Sequence, residues 1–132
     1  MIELKKYEPK YFYELCLLSD DAWKNNICLI ANSLKVSDST IENCWLAFDN
    51  QKIIGFVYGF ILPNRTLLPE FLYVTPEYRN NGIGVALMKK MEEESGCTAS
   101  MIFYNTALHD YYQKQNYLSG DNLEVAIKTL KG

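Results

Sequence analysis

The sequence predicts one α/β domain in three layers, with helices on both faces of a central mixed, mostly antiparallel sheet. Three observations support this fold class. The chain has 132 residues, enough for one core, so we assign residues 1–132 to a single domain. It is 48% hydrophobic and 14% aromatic, well above the content of a disordered chain. Its apolar periodicity changes between strand and helix spacing in the order β-α-α-β-β-β-α-β-α-β.

The N-terminal part of the chain carries one strand pattern and two helix patterns. Residues Ile2 to Lys6 are typical of a short opening strand. Apolar residues recur at helical spacing in Tyr11 to Leu18 and again in Asp21 to Leu34. Asp20 precedes the second pattern, where its carboxylate can accept hydrogen bonds from the first turn. We therefore expect two helices, the second with Asp20 as its N-cap.

The middle of the chain predicts three consecutive strands. Residues Trp45 to Phe48 and Ile53 to Leu62 are rich in strand-forming residues and are separated by the turn residues 49–51. Pro63 and Asn64 then interrupt the pattern. Leu67 to Val74 follows as a further strand rich in Leu, Phe, Tyr and Val.

The clearest helix pattern covers Gly82 to Ser95. Ile83, Leu87 and Met91 recur every four residues, while lysines and glutamates occupy the opposite face. Gly96 directly follows and suits a left-handed C-cap. This segment is therefore predicted to be an amphipathic helix that packs on the sheet.

The C-terminal part predicts a strand, a short helix and a closing strand. Ala99 to Tyr104 has the apolar content of a buried strand. Thr106 to Gln115 follows as a short helix, and Glu124 to Leu130 as the closing strand of the sheet.

Charge and cysteine usage exclude several classes of function. The formal net charge is −3, which argues against general nucleic-acid binding and is compatible with a cationic acceptor. The four cysteines are widely spaced and there is one histidine, so we expect no metal site. No segment has the ~20 apolar residues of a membrane span, and the first residues lack a signal peptide's apolar core. We expect a cytoplasmic protein with reduced cysteines and no membrane partner.

The most specific motif lies between the predicted strand Leu67 to Val74 and the long helix. A strand ends at Val74, and Arg79-x-x-Gly82-x-Gly84 leads into the helix. Glycines at this point let an anion approach the backbone N–H groups of a helix N-terminus, a favourable site for a pyrophosphate. The Walker and Rossmann phosphate motifs are absent from the sequence. Taken alone, the segment fits an ordinary strand-to-helix turn equally well.

Two longer segments carry a resemblance to a known family. The first is Glu70-Phe71-Leu72-Tyr73-Val74-Thr75-Pro76-Glu77-Tyr78-Arg79-Asn80-Asn81-Gly82-Ile83-Gly84-Val85-Ala86-Leu87-Met88, and the second is Asn105 followed by Tyr111-Tyr112-Gln113-Lys114-Gln115-Asn116-Tyr117. Both are similar to core motifs of the GNAT (Gcn5-related N-acetyltransferase) family, and together they cover roughly residues 45–117. The resemblance implies the GNAT-like three-layer fold, acetyl-CoA as co-substrate and an amine as acetyl acceptor.

The resemblance also implies roles for individual residues. Backbone groups of Leu72, Tyr73 and Val74 would pair with the pantetheine arm of acetyl-CoA, and Asn105 would contact the cofactor. Tyr112 would stand beside the sulfur, both contacting the cofactor and protonating the leaving thiolate. The remaining cofactor-binding residues surround the pyrophosphate: Arg79, Asn80, Asn81, Gly82, Ile83, Gly84 and Val85.

Two catalytic assignments have alternatives. Tyr111 neighbours Tyr112, but adjacent helical residues point about 100° apart, so only one can face the sulfur, and the spacing from Asn105 selects Tyr112. Glu70 holds a position where many GNAT enzymes carry an acidic residue. It is therefore either the general base that deprotonates the amine or a solvated glutamate at a strand edge.

The sequence departs from the family pattern at two positions. Asn116 replaces the family's glycine, a change that asparagine tolerates because it enters left-handed conformations readily. His109 occupies a position usually filled by a small residue, where it is either a packing residue or a contact to the cofactor.

The acceptor amine is less clearly encoded than the donor. We expect a small molecule, aminoglycoside-like or a polyamine, or else a protein amine. Ser100 stands where enzymes that acetylate ribosomal-protein N-termini have a glutamate, which disfavours that branch. A non-catalytic acyl-CoA-binding sensor is the alternative, and the family resemblance is compatible with a homodimer. Candidate acceptor-recognition residues lie in the early helices and hairpin: Asp20, Asp21, Trp23, Glu42 and Trp45.

Overall fold

Among the residues that the structure describes, five strands form a central sheet. The computed structural model describes residues 1–18, 43–120, 124–126, 128 and 130. The strands lie in the sheet in chain order, and the first four pair antiparallel while the fifth is parallel to the fourth. This confirms the predicted mixed, mostly antiparallel sheet. The strands are β1 (Ile2–Lys6), β2 (Cys44–Asp49), β3 (Lys52–Ile61), β4 (Thr66–Val74) and β5 (Ala99–Ser100).

The strands β2 and β3 form the predicted hairpin. Asp49 pairs with Lys52 across a two-residue turn. Asn50 in this turn has a φ of 56°, a left-handed conformation that asparagine adopts more readily than most residues. The hairpin is therefore confirmed, with a turn one residue shorter than the predicted 49–51 because Asp49 pairs within the strand.

Three α-helices are described, and two of them begin with a 3₁₀ turn. The turn Pro9–Tyr11 leads into α1 (Phe12–Cys16), and Thr106–Leu108 leads into α3 (His109–Gln113). The long helix α2 is Ile83–Ser95. Its C-cap Gly96 has a φ of 68°, so the predicted left-handed cap is confirmed.

The described part of the chain contains two apolar core clusters, one on each face of the sheet. One cluster is rich in aromatic residues, includes Phe56 and Tyr58, and is covered by Leu15 of α1. In the other cluster Leu87, Met88 and Met91 of α2 pack on the sheet and are at most 1% exposed. Burying side chains of this size contributes about 1.5–3 kcal/mol each. Helices on both faces of the sheet give the predicted three-layer fold.

The pairing between β4 and β5 is very short. Thr66 pairs with Ala99 and Leu67 with Ser100, and the last bond runs from the Met101 N–H to the Leu67 carbonyl (2.8 Å). Beyond this point the chain of residues 102–108 leaves β4. An opening therefore forms along the second half of β4.

Several predicted elements differ from the structure. The strand expected at Ala99–Tyr104 is limited to Ala99–Ser100, because the chain turns away from β4 and loses its ladder partner. The closing strand expected at Glu124–Leu130 is not formed by the described positions 124–126, 128 and 130, which have no ladder partner. The helix Asp21–Leu34 with its N-cap Asp20 lies outside the described residues.

Candidate active site

A cleft of about 840 Å³ lies between the second half of β4, the start of α2 and the segment around α3. It occupies the opening that the divergence of β5 leaves. Most of the residues predicted from the sequence to bind the cofactor or to act in catalysis line this cleft. These are Glu70, Leu72, Val74, Arg79, Asn80, Gly82, Ile83, Gly84, Val85, Asn105 and Tyr112.

One end of the cleft is the N-terminus of α2. The first bond of this helix runs from the Ala86 N–H to the Gly82 carbonyl (3.0 Å). The N–H groups of residues 83–85 precede that bond and so have no carbonyl within the helix. Because they lie at the positive end of the helix dipole, they favour an anion by roughly 0.3–1 kcal/mol.

The two glycines of the loop motif differ in backbone conformation and in the space around them. Gly82 has a φ of 77°, and a side chain built on it would meet no atom within 4 Å. Backbone conformation therefore favours glycine at this position. Gly84 is outside the left-handed region, but a methyl group built on it would lie 2.8 Å from the Tyr111 hydroxyl oxygen. A side chain at position 84 would therefore have to displace the Tyr111 hydroxyl.

Side chains brace the loop that precedes α2. The Arg79 Nε donates to the Val74 carbonyl (2.7 Å), and the guanidinium lies 5.5 Å from the Tyr73 ring centroid. The Asn81 amide donates to the carbonyls of Tyr78 and Arg79, each at 3.3 Å. The Asn81 side chain is thus a brace outside the lining of the cleft, and Arg79 both lines the cleft and fixes the end of β4.

The edge of β4 that faces the cleft carries backbone groups. The Thr75 N–H donates to the Ile54 carbonyl (2.8 Å), which places this pair in hydrogen-bonding register with β3. Backbone direction alternates along a strand, so the N–H groups of Val74 and Leu72 point away from β3 and toward the cleft. Tyr73 instead contributes a side chain to the aromatic cluster, where it is 4% exposed. This edge can accept one more extended chain.

Glu70 lies on a bulge in β4. Tyr58 pairs with Phe71 and Gly59 with Pro69, so the register skips Glu70. A bulge turns the side chain of the extra residue away from the regular alternation of the strand and is frequent beside active sites. Glu70 is exposed and lines the cleft, a position from which a carboxylate can reach a bound ligand and water.

The other end of the cleft is a group of tyrosines. The Tyr112 ring lies 5.0 Å from the Tyr104 ring, 4.9 Å from Tyr111 and 5.9 Å from Tyr117, measured between centroids. Burial, and to a lesser degree the charge of Tyr111, raises the pKa of Tyr112 above its ordinary value. Among the described residues no partner hydrogen-bonds the Tyr112 hydroxyl. With its raised pKa, this group stays protonated and can donate a hydrogen bond or a proton at the wall of the cleft.

The end of α3 holds Tyr112 in place. Asn116 lies in the turn that follows α3 and has a φ of 69°, the left-handed conformation that asparagine is expected to tolerate, and the Tyr117 N–H bonds the Tyr112 carbonyl (3.1 Å). The Tyr117 hydroxyl donates to the Glu92 carboxylate of α2 and lies 2.7 Å from the Ser100 Oγ of β5. Burial and the Glu92 hydrogen bond raise the pKa of Tyr117, so its hydroxyl remains a donor. Tyr117, which packs on the Tyr112 ring, therefore joins the end of α3 to α2 and β5.

Asn105 has a structural contact of its own. Its Oδ1 accepts a hydrogen bond from the Ala107 N–H (2.9 Å) and so caps the turn before α3. The amide nitrogen of the same side chain is a donor at the wall of the cleft. Asn105 can thus shape this wall and contact a ligand at the same time.

Some sequence-predicted residues lie away from the cleft. His109 is 3.2 Å from the Tyr104 hydroxyl through Nδ1 and borders a separate cavity of about 1260 Å³ on the far side of residues 100–104. Trp45 packs on α2, with the Lys90 Nζ 5.1 Å from its ring centroid. Asp20, Asp21, Trp23 and Glu42 lie outside the described residues.

The sequence analysis missed the position of Tyr111. It correctly separated the directions of the two neighbouring tyrosines, since Tyr111 reaches Gly84 at the helix end while Tyr112 lies among the other tyrosines. Both rings nevertheless line the cleft. No local signal in the sequence brings Tyr111 to Gly84, because the two positions meet only through the packing of α3 against the start of α2.

The described residues show neither a metal centre nor a membrane helix. No group of three or more His, Cys, Asp or Glu side chains that could hold a metal ion occurs among them. Within the same residues, no helix is long and apolar enough to cross a membrane.

An open strand edge that leads to free amides at a helix N-terminus defines a site for an extended ligand with an anionic group. The protein-family model described as "Acetyltransferase (GNAT) domain" matches residues 40–117, which is more than half of the chain. The protein therefore belongs to the GNAT acetyltransferase family.

Solved structures with the same fold support this assignment. A ribosomal-protein-alanine N-acetyltransferase from Brucella melitensis biovar Abortus 2308 is 17% identical, with a TM-score of 0.75 over 98% of this chain and 100% of that chain. A GNAT-family acetyltransferase from Staphylococcus aureus Mu50 is 19% identical, with a TM-score of 0.71 over 100% and 95%. The aminoglycoside N-acetyltransferase AAC(6')-Iy in complex with CoA is 14% identical, with a TM-score of 0.70 over 99% and 95%. At these identities the likeness shows the fold.

Proposed function

We propose that this protein transfers an acetyl group from acetyl-CoA to a primary amine by direct attack of the neutral amine on the thioester. The observation that carries the proposal is that a single cleft joins free helix amides, an open strand edge and Tyr112. In this order they suit the diphosphate, the pantetheine arm and the sulfur of acetyl-CoA. Family membership supports the reaction type, and AAC(6')-Iy binds CoA in its complex.

The donor would bind mainly through backbone groups. The diphosphate accepts hydrogen bonds from the amides of residues 83–85, and the pantetheine arm pairs with the N–H groups of Leu72 and Val74 as an additional strand would. Asn105 contributes its amide nitrogen from the opposite wall. Backbone recognition of this kind fixes the ligand's direction, so the thioester lies at the tyrosine end.

The chemistry then follows from the groups at that end. The amine nitrogen attacks the carbonyl carbon, and the oxyanion that develops is stabilised by a strand N–H, an effect of about 3–4 kcal/mol in comparable sites. The C–N bond forms, the C–S bond breaks, and the leaving thiolate takes the proton of Tyr112. The attacking nitrogen loses its remaining excess proton to solvent, which leaves the neutral amide. Burial raises the pKa of Tyr112. In the same cleft burial also disfavours the thiolate, which keeps this proton transfer feasible.

Glu70 is the group that we propose to remove the amine's proton. Its bulge position places the carboxylate at the wall of the cleft and in contact with solvent. An alkylamine with a pKa of about 10.4 is mostly protonated at neutral pH, so a base that removes this proton directly or through water speeds the reaction. The proton that Glu70 takes up can then pass through solvent water to the Tyr112 phenolate and restore its hydroxyl.

The acceptor is the second substrate of the proposed reaction. We infer a small cationic amine, aminoglycoside-like or a polyamine, with a protein amine as the other class to test. Ser100 bonds the Tyr117 hydroxyl and lies away from the cleft, so it offers no base to an N-terminal peptide amine.

The test is release of free thiol from acetyl-CoA in the presence of aminoglycosides, polyamines and peptides with free N-termini. Replacing Tyr112→Phe should lower kcat by about 100-fold, the lower range for a lost general acid, while the CoA dissociation constant stays within about twofold. Because the pKa of Tyr112 lies above its ordinary value of about 10, wild-type kcat/KM should rise from about pH 7 to 9 without a falling limb.

Tyr13→Phe is the matched control, because Tyr13 lies on α1 and is 83% exposed. It should leave kcat unchanged. Binding of CoA without turnover on any amine would contradict the proposal and favour an acyl-CoA sensor. Absence of CoA binding would contradict the assignment of the cleft itself.

A further inference from the structure

Tyr111 and Gly84 form a contact between α3 and the first turn of α2. A methyl group built on Gly84 would lie 2.8 Å from the Tyr111 hydroxyl oxygen, closer than real side chains approach. The hydroxyl therefore occupies the space that a side chain would take at position 84. It lies against the same turn whose amides precede the first helical hydrogen bond.

The geometry at Gly84 indicates that this contact is built into the cleft. Gly84 has no positive φ, unlike Gly82, so its backbone would accept alanine, which favours helix more than glycine does. The nearest obstacles to a methyl group are the Tyr111 hydroxyl, then the Leu72 side chain at 3.5 Å. The hydroxyl is therefore the first group that a side chain at position 84 would displace.

We propose that Tyr111 is a cofactor-binding residue whose hydroxyl donates a hydrogen bond to a diphosphate oxygen held at the start of α2. This proposal rests on the function proposed above and adds a side-chain donor to a site otherwise built from backbone. An oxygen that accepts hydrogen bonds from the amides of residues 83–85 would lie at the first turn of α2, the turn against which this hydroxyl is placed. A phenol bonded to an anion is a charge-assisted donor, stronger than a neutral pair.

The surroundings of Tyr111 keep its hydroxyl protonated and its ring fixed. The ring packs edge-to-face on Tyr112, with centroids 4.9 Å apart and an interplanar angle of 79°. The Gln115 amide nitrogen donates to the Tyr111 carbonyl (3.3 Å). Burial raises the pKa of Tyr111, and a hydrogen bond from the Gln115 side chain opposes this only in part. The donor is thus placed before the ligand arrives.

The first test compares wild type with Tyr111→Phe by calorimetric titration with CoA. The variant should bind CoA about tenfold more weakly, a change of about 1.4 kcal/mol. Its kcat at saturating acetyl-CoA should stay within about twofold of wild type, because the reacting atoms lie at the other end of the cleft. The kcat/KM for acetylpantetheine, a thioester donor without a diphosphate, should be the same for both proteins.

The second test is a double-mutant cycle between the two positions. Gly84→Ala in the Tyr111 background should weaken CoA binding about tenfold, because the methyl group displaces the hydroxyl. Gly84→Ala in the Tyr111→Phe background should have less than a twofold effect, since no hydroxyl is left to displace. Thermal melts of the four proteins check that the fold is retained.

The outcomes separate this inference from the proposed function. If wild type binds CoA and Tyr111→Phe binds it equally well, the inference is wrong and the acetyltransferase proposal stands. Equal losses with acetyl-CoA and acetylpantetheine, or additive effects in the cycle, would also overturn it. If wild type does not bind CoA, both proposals are overturned together.

Discussion

The two ends of the cleft are built in different ways. The loop end comes from one continuous segment and uses backbone: a left-handed Gly82, a left-handed Asn80 and the free amides that follow. The tyrosine end comes from separate segments and uses side chains, with Tyr112 packed between Tyr104 and Tyr117. The loop end thus depends on local conformation, whereas the tyrosine end depends on tertiary packing.

This difference separates binding from chemistry. Backbone amides recognise an anion irrespective of what the rest of the ligand carries, so the loop end suits the part that all CoA thioesters share. The tyrosine end presents a protonated hydroxyl whose pKa is raised by burial. Substitutions at the two ends should consequently affect different quantities, and three of them test this, in addition to those at Tyr111 and Tyr112.

The largest effect is expected for Glu70→Gln. If Glu70 is the base, the neutral amide cannot accept the proton, and kcat/KM for the amine at neutral pH should fall about 100-fold, the lower range for a lost general base. CoA affinity, measured by calorimetry, should stay unchanged because the loop end is intact. Glu77→Gln is the control, since Glu77 is an exposed carboxylate that does not line the cleft. A rate within twofold of wild type would assign Glu70 to the solvated strand edge.

A smaller effect, on CoA affinity and not on the rate, is expected for Gly82→Ala. The φ of 77° costs a non-glycine residue about 1–2 kcal/mol, so the loop should leave its binding conformation and CoA affinity should fall about tenfold. Saturated kcat should hardly change. Gly82→Asn should recover most of the affinity because asparagine tolerates this conformation. Equal losses for alanine and asparagine would show that the absence of a side chain matters more than the conformation.

The smallest effect is expected for Asn116→Gly at the tyrosine end. Glycine adopts the φ of 69° without steric cost, so the free energy of unfolding should rise by about 0.5 kcal/mol. Urea denaturation measures this change. The kcat should remain within twofold, because the Tyr117 N–H to Tyr112 carbonyl bond is kept. A loss of stability would indicate a native contact of the Asn116 side chain.

The sequence predicted the loop end well because its signals are local. Gly82 and Gly96 bracket α2, and both have the left-handed conformation that their positions suggest. The apolar spacing of Ile83, Leu87 and Met91 identifies the buried face of the helix. Conformation and periodicity of this kind can be predicted from short stretches of sequence.

The remaining features depend on which segments become neighbours. The apolar content of Ala99–Tyr104 predicts a strand but cannot show that β4 and this segment separate after Ser100. The bulge that exposes Glu70 arises where β4 pairs with Tyr58 and Gly59 of β3. This pairing exists only in the folded sheet. The contact of Tyr111 with Gly84 is of the same kind.

The short pairing of β5 leaves the N–H groups of Leu72 and Val74 without a strand on their outer side. A ligand arm that pairs there can bind only the folded chain, because the strand edge does not exist in the unfolded one. Ligand binding therefore stabilises the folded state. By mass action, a ligand at 100 times its dissociation constant raises the free energy of unfolding by about 2.7 kcal/mol. The melting temperature should therefore report the ligand concentration, and deuterium exchange at these two amides should slow as the site fills.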